Sequence, residues 1–440
     1  MLGPIFVYLL LVVVCATAIA RPAWGLIGFY GFLLLDPAWN WRWSLAPGVE
    51  YQKYIFFALF AGFALQAFRG QRQSGISRVG IFACVSFFCL CLLSASQSIS
   101  PIDSEFFMGI IWKQLLVVVL GLFVLNSPAR IKALLVVAVL AQGYNSYQIN
   151  LDYFQTGFSR YAYSSWGSMG VDNNGYSIVT VPILGMAFAL ALFESKIWTR
   201  ALFFGIGMLQ VHQIMLMESR GCMLAAVFMI GILVWKMPLR YGNIKTITVA
   251  FLLGALLAGP PVVKEFTSSF NSEENRDSSA ESRIYLWKAG ARISMDYPLM
   301  GVGPNAARIL VPQPEYYDGG LEVANKALHN LYFDVSTGVG IPGFICYFAF
   351  ILSPVFYAWR TYHRDDNETG AIRLAVVGGV VGYLAASVFS SGLLFESCYI
   401  LVIAGYCISN IDSVSPLEEL DAEFATDIDG RYDGLPSSEI

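Results

Sequence analysis

Long apolar runs, most of them free of charge, recur along the whole chain near residues 5–20, 24–36, 54–68, 79–96, 107–125, 131–149, 176–193, 201–217, 221–235, 244–262, 330–358, 374–393 and 395–410. Most have the length needed to cross a hydrocarbon layer of roughly 30 Å. Backbone amides at that depth must find their hydrogen bonds inside the chain, which leaves helices or closed barrels. These runs lack the strict alternation of barrel strands. The pattern predicts an all-α, polytopic membrane bundle of 12–13 spans, and with 56% of residues hydrophobic and 13% charged it excludes a soluble globular enzyme. The opening stretch MLGPIFVYLLLVVVCATAIA ends in small residues like a secretion signal. It lacks a basic leader, however, and more spans follow, so it reads as the first span. All eight cysteines fall in or at the ends of apolar runs, and no pair has the spacing of a zinc site or a loop disulfide.

Basic residues orient the bundle. RGQRQSGISR (Arg69, Arg72, Arg78), SPARIK (Arg130, Lys132), ESKIWTR (Lys196, Arg200), KMPLRYGNIK (Lys236, Arg240, Lys245) and WRTYHRDDNETGAIR (Arg360, Arg364, Arg373) occupy every second connection. The positive-inside rule makes these five cytoplasmic and the connections 37–53, 97–106, 150–175 and about 263–329 external. Thirteen spans with a cytoplasmic tail put the N-terminus outside; a re-entrant second segment would reverse that parity, and both remain open at this stage. The expected organisation is N-terminal transmembrane helices over 1–262, a large extracytoplasmic loop over 263–329, C-terminal transmembrane helices over 330–410 and an acidic cytoplasmic tail over 411–440. The net charge of −4 is concentrated in that tail, where residues 412–440 hold nine acids and one base and read as solvated or disordered. There is no repeat at a fixed period, and no paired Gly/Pro-broken helices mark the inverted halves of a transporter.

The long outer loop is the only connection large enough for structure of its own. Ser278 with Glu281 three residues later is a capping-box pattern. The helix it predicts, about 279–296, sets Arg283 and Trp287 one turn apart on one face. In the following YPLMGVGPN, Gly301 and Gly303 imitate a dinucleotide fingerprint only superficially, because no strand precedes them; a turn is the better reading. The tail's DIDGRYDG lacks the terminal Glu of a calcium loop.

Charges within or at the ends of spans are costly against lipid and usually face a bundle interior or a water-filled cavity. Arg220 and Glu218 sit at an outer end in MLMESRGCMLAA, Lys113 lies about two turns below the outer surface in FFMGIIWKQLLVVV, Glu396 is near an outer end in LLFESCYI, and Asp172 opens DNNGYSIV. Snorkelling to headgroups would account for Arg220 and Lys113, pairing for Glu396, and helix capping for Asp172. Of the three histidines, His212 is mid-span and suits interhelical packing, His363 belongs to a basic cytoplasmic turn, and His329 stands at the outer lip. Guanidinium groups bind phosphate oxygens through paired hydrogen bonds. An imidazole with an ordinary pKa near 6.5 can orient or deprotonate a hydroxyl. Together the set suits glycosyl transfer at the outer interface, in which an acceptor hydroxyl attacks a sugar and a lipid diphosphate leaves.

SRIYLWKAGARISMDYPLMGVGPNAARI followed by HNLYFDVSTGVGIPG resembles the signature region of the O-antigen ligase and O-antigen polymerase superfamily. The family's His-Asn, nine residues, Gly, two residues and a small residue is matched by His329, Asn330, Gly340 and Gly343. Its Arg, three residues and Leu is matched by Arg220 and Leu224, and its loop-helix Arg by Arg283. RPAWGLIGFYGFLLLDPAWNWRWS is similar to the leading region of O-glycosylation ligases associated with exosortase systems. The resemblance implies a GT-C-like bundle with a partly helical periplasmic loop in the bacterial inner membrane. It implies a metal-independent, inverting glycosyltransferase without cofactors that takes a glycan from undecaprenyl (polyprenyl) diphosphate to a glycan, lipid or protein acceptor. Membrane lipid is then a partner and nucleic acid is not. Arg220, Arg283 and His329 are the expected catalytic residues, with Arg220, Arg283 and Lys113 on the donor diphosphate and Asp172, Asn330 and Glu396 in support. Three rivals stay open: a polymerase with the same donor chemistry, a solute transporter, and a non-catalytic partner in glycan export.

Overall fold

The structure, a computed structural model, describes residues 2–46, 48–240, 242–245, 247–249, 278–317, 326–364 and 369–432, with the backbone alone at 2, 278–281 and 415–432. Among them, thirteen helices of fourteen residues or more form: α1 Leu2–Ala20, α2 Pro22–Leu35, α3 Tyr51–Leu65, α4 Gly75–Ser96, α5 Pro101–Val124, α6 Pro128–Thr156, α7 Asn173–Phe193, α8 Ile197–Leu216, α9 Arg220–Lys236, α10 Ser278–Asp296, α11 Leu331–Thr361, α12 Gly370–Ala386 and α13 Glu396–Tyr432. No strand forms among the described residues, and 76% of the structure is helical. Six helices, α1, α4, α5, α7, α11 and α13 as far as Val414, are long and apolar enough to cross a membrane. The chain is an all-α polytopic membrane bundle. Every expected apolar run is matched by a helix except the tenth, 244–262, which lies outside the described residues apart from helical turns at 242–245 and 247–249.

The connections sort to two ends. At one end the five basic stretches are tied together. Gln71 donates to the carbonyls of Leu122 and Leu125 at 2.8 and 2.9 Å, Lys132 faces Glu194 at 3.7 Å, Tyr362 Oη donates to Lys236 O at 2.6 Å, and Arg373 pairs with Asp412 at 2.8 Å. At the opposite end, here the upper rim, Asp36 accepts from Ser168 N at 2.6 Å and Ile99 N donates to Val302 O at 3.1 Å. The N-terminus belongs to this upper rim, because Gly3 abuts Trp41 and α2 runs back antiparallel to α1, with Gly25 on Ala18 and Gly28 on Val14. The second segment therefore passes through the bundle rather than re-entering, although its 14 residues reach only about 21 Å.

The segment around α10 folds as a unit with its own small core, Leu286, Ala289, Ile293, Val302, Leu310 and Leu328 among its members. Its helix α10 starts where the capping pattern predicts. Arg308 grips both oxygens of buried Asp103 at the top of α5, one of them at 3.0 Å, and Ser104 Oγ donates to Pro304 O at 2.9 Å. The unit is also stitched into α11, which breaks at Gly340 (φ 75°). Pro342 has no N–H to offer the Gly338 carbonyl, which accepts instead from Gly303 N at 3.2 Å and Ser94 Oγ at 2.6 Å. Val302 N donates to Thr337 O at 2.8 Å, and Ile341 N to Pro298 O at 2.7 Å. YPLMGVGPN is thus the turn that fills a helix break. A Cβ on Gly340 would lie 2.5 Å from the Leu299 backbone, and one on Gly301 2.4 Å from Thr337 O, so both positions require glycine.

Two boundaries differ from expectation. The run 374–393 is helical only to Ala386, because Ser387, Ser390, Ser391 and Gly392 supply side-chain and backbone alternatives to the helix. The acidic tail, expected to be solvated or disordered, continues α13 to Tyr432, since extending an existing helix avoids the cost of nucleation.

Candidate functional site

α11 begins at a clamp. The Asn330 side chain accepts from Tyr332 N at 3.0 Å and Phe333 N at 3.2 Å, and it donates to Val388 O at 2.9 Å. Leu331 N donates to Ser387 O at 2.9 Å. The helix start is thereby fixed on the non-helical segment 387–395, whose other carbonyls are also used: Leu393 O accepts from Tyr399 Oη at 2.8 Å and Leu394 O from Gln114. Irregular backbone at membrane depth is tolerated where protein encloses it or where it lines a cavity. His329, just before the clamp, has φ 50°, a left-handed conformation that costs about 1–3 kcal/mol and persists only when its surroundings impose it.

The first turns of α7 and α9 are cross-tied beside it. Ser219 Oγ donates to Asn174 Oδ1 at 2.9 Å and Asn173 Nδ2 to Met217 O at 3.0 Å. Asp172 caps α7 by accepting from Gly175 N at 2.7 Å. Arg220 is the first residue of α9, directly after Glu218 (φ 54°) and Ser219. The helix carrying Arg283 reaches the same place through one ring. Trp287 lies 6.2 Å from Phe389, centroid to centroid, and Phe389 packs on Gly221.

Electrostatics join these pieces. Arg283 and Asp172 both act on His329, and both act on Cys222, two residues past Arg220. The imidazole is half-buried and makes no hydrogen bond among the described residues. Burial first, then the Arg283 guanidinium, hold its pKa below the ordinary value, with Lys326 adding to this and Asp172 opposing it. A neutral imidazole can accept a proton, and the N-termini of α7, α9 and α11 turn their positive dipole ends to the same rim, which favours an anion there.

His329, Asn330, Arg283, Asp172 and the helix start bearing Arg220 thus occupy one part of the upper rim. Lys113 and Glu396 do not share those contacts. α5 starts at Pro101 rather than near 107, so Lys113 lies about 18 Å along it, deeper than two turns; it is exposed and makes no hydrogen bond or ion pair among the described residues. Glu396 is reached by Gln114 at 3.5 Å. His212 is an interhelical packing residue, its Nδ1 2.5 Å from Asn150 Oδ1. Sequence reasoning missed the segment 387–395 and Asp334, one of whose carboxylate oxygens is buried with no partner among the described residues. An acid inside an apolar run was the available signal for Asp334.

Residues 206–348 match the O-antigen ligase family, a stretch that opens in α8, closes in α11 and contains Arg220, Arg283, His329 and Gly340. By this match the chain is similar, over that segment, to the O-antigen ligase superfamily. In broad class it is an O-antigen ligase-like membrane glycosyltransferase. Residues 2–180 match a family of unknown function (DUF5935), and no curated protein matches the chain. The superfamily segment does not build the rim alone, because Asp172, Asn173 and Asn174 come from the region of unknown function.

Proposed function

We propose that the protein transfers a glycan from a polyprenyl diphosphate to a hydroxyl of a glycan, lipid or protein acceptor at the outer face of a bacterial inner membrane. The observation that carries this reading is the arrangement around His329: an imidazole with no hydrogen bond among the described residues, held in a left-handed conformation, faced by Arg283 and Asp172 at a rim where three helices begin. The five basic connections at the other end support an extracytoplasmic upper rim.

In this reading Arg220 and Arg283 hold the diphosphate by charge-assisted hydrogen bonds. His329 takes the proton of the acceptor hydroxyl as its oxygen bonds to the anomeric carbon. The bond from that carbon to the diphosphate breaks on the opposite face, its electron pair stays with the departing oxygen, and the configuration inverts. The growing negative charge is met by the two guanidinium groups and the helix N-termini. Asn330 and Asp172 position the imidazole. Purified protein given lipid-linked glycan and acceptor transfers the glycan in the presence of a chelator, and Arg220→Ala, Arg283→Ala and His329→Ala each lower the rate by about 10²–10³. Wild-type rates in all three variants overturn the assignment.

A further inference from the structure

A second polar group, unused by the reaction as derived, gathers where α2, α5 and the first turn of α13 meet. Glu396 is half-buried, and Gln114 Nε2 approaches one of its oxygens at 3.5 Å, a long contact that leaves the carboxylate with capacity to accept. The amide oxygen of Gln114 is buried with no hydrogen-bond partner among the described residues. Tyr30 is 2% exposed, yet its hydroxyl makes no hydrogen bond among the described residues, and Glu396 is the charged group that acts on it. Asp36, just past α2, also acts on Glu396, but its own oxygens are taken by Trp39 N at 3.3 Å and Ser168 N at 2.6 Å.

A buried phenol that can donate and two acceptors with unmet capacity call for a ligand carrying hydroxyls, since each hydroxyl both donates and accepts. The donor's head belongs on the arginine side, where guanidinium groups can hold a diphosphate through paired hydrogen bonds. The two polar groups are neighbours: Phe395, adjacent to Glu396, lies against Gly175 in the turn capped by Asp172. We propose that Tyr30, Gln114 and Glu396 form a saccharide subsite that binds a sugar of the acceptor through its hydroxyls. Tyr30 and Gln114 lie within residues 2–180, so the subsite gives the region of unknown function a task, acceptor selection. The proposal rests on the transferase reading above.

The test compares wild type, Glu396→Gln and Tyr30→Phe in detergent. Donor is the lipid-linked glycan extracted in organic solvent from a host deleted for the gene, and acceptor is the insoluble fraction of the same cells. Both variants are expected to need at least tenfold more acceptor for half-saturation while donor half-saturation stays within twofold. An equal rise for donor, or unchanged acceptor dependence, overturns the subsite. Tyr30→Phe removes a single oxygen and decides alone if the glutamine variant does not fold. A wild type that transfers nothing defeats the transferase reading and the subsite together, which separates that failure from failure of the subsite alone.

Discussion

Asn330 does two jobs that substitution can separate. Its side-chain oxygen caps α11 at Tyr332 N and Phe333 N, and its amide nitrogen ties the helix start to Val388 O. Asn330→Ala removes an N-cap, worth about 1 kcal/mol, and one further hydrogen bond, worth about 1 kcal/mol net. The local loss is then about 2 kcal/mol, roughly thirtyfold in an opening equilibrium. That loss is comparable to the cost of His329's left-handed backbone, so the imidazole is released toward a relaxed conformation. Asn330→Asp keeps the cap but turns a carboxylate oxygen toward a carbonyl, so it loses the tie alone. Hydrogen exchange on purified protein should show faster exchange at 331–333 in the alanine variant and at 387–391 in both, with transfer reduced at least tenfold in both. Wild-type exchange and transfer in the alanine variant would refute the clamp.

The remaining predictions concern charge, backbone and product. His329 must be neutral to accept a proton, so transfer falls as the pH drops through its lowered pKa; Arg283 lowers that pKa and Asp172 raises it. A pH–rate profile should therefore move its acid limb upward in residual Arg283→Ala activity and downward in Asp172→Asn; shifts of the same sign contradict the arrangement. Gly340→Ala places a methyl group 2.5 Å from the Leu299 backbone at φ 75° and should destabilise by more than about 1 kcal/mol, read as a lower thermal midpoint. Deletion of the gene should leave full-length glycans unattached on gel analysis, whereas shortened glycans point to a polymerase.

Much of the fold is legible in the apolar runs, because a membrane leaves the backbone few options. Twelve of the thirteen runs are matched by helices among the described residues, and the Ser278 and Glu281 pattern locates α10 to within a residue. What hydropathy conceals is where an apolar run ceases to be helical. Residues 387–393 still belong to an apolar run despite their three serines and glycine, and their carbonyls are claimed by Asn330, Leu331 and Tyr399, partners that no local pattern reveals. The start of α5 is hidden in the opposite way: Pro101, Asp103 and Ser104 are polar or helix-starting residues whose helix is held by Arg308 and Pro304, about two hundred residues away in sequence. Arg220, Arg283 and His329 are legible as a set through the family motif, whereas the ties of Asn174 and the direction of Glu396 toward Gln114 and Tyr30 depend on which helices become neighbours.

The central claim is that two arginines bind the diphosphate while the histidine acts on the acceptor. Equilibrium binding of undecaprenyl diphosphate to the purified protein separates these roles. Losing one charge-assisted contact costs about 1.5–3 kcal/mol, so Arg220→Ala and Arg283→Ala should each raise Kd by at least tenfold, while His329→Ala binds within threefold of wild type and transfers about 10²–10³ more slowly. Undiminished binding in both arginine variants, or equal loss in the histidine variant, contradicts it.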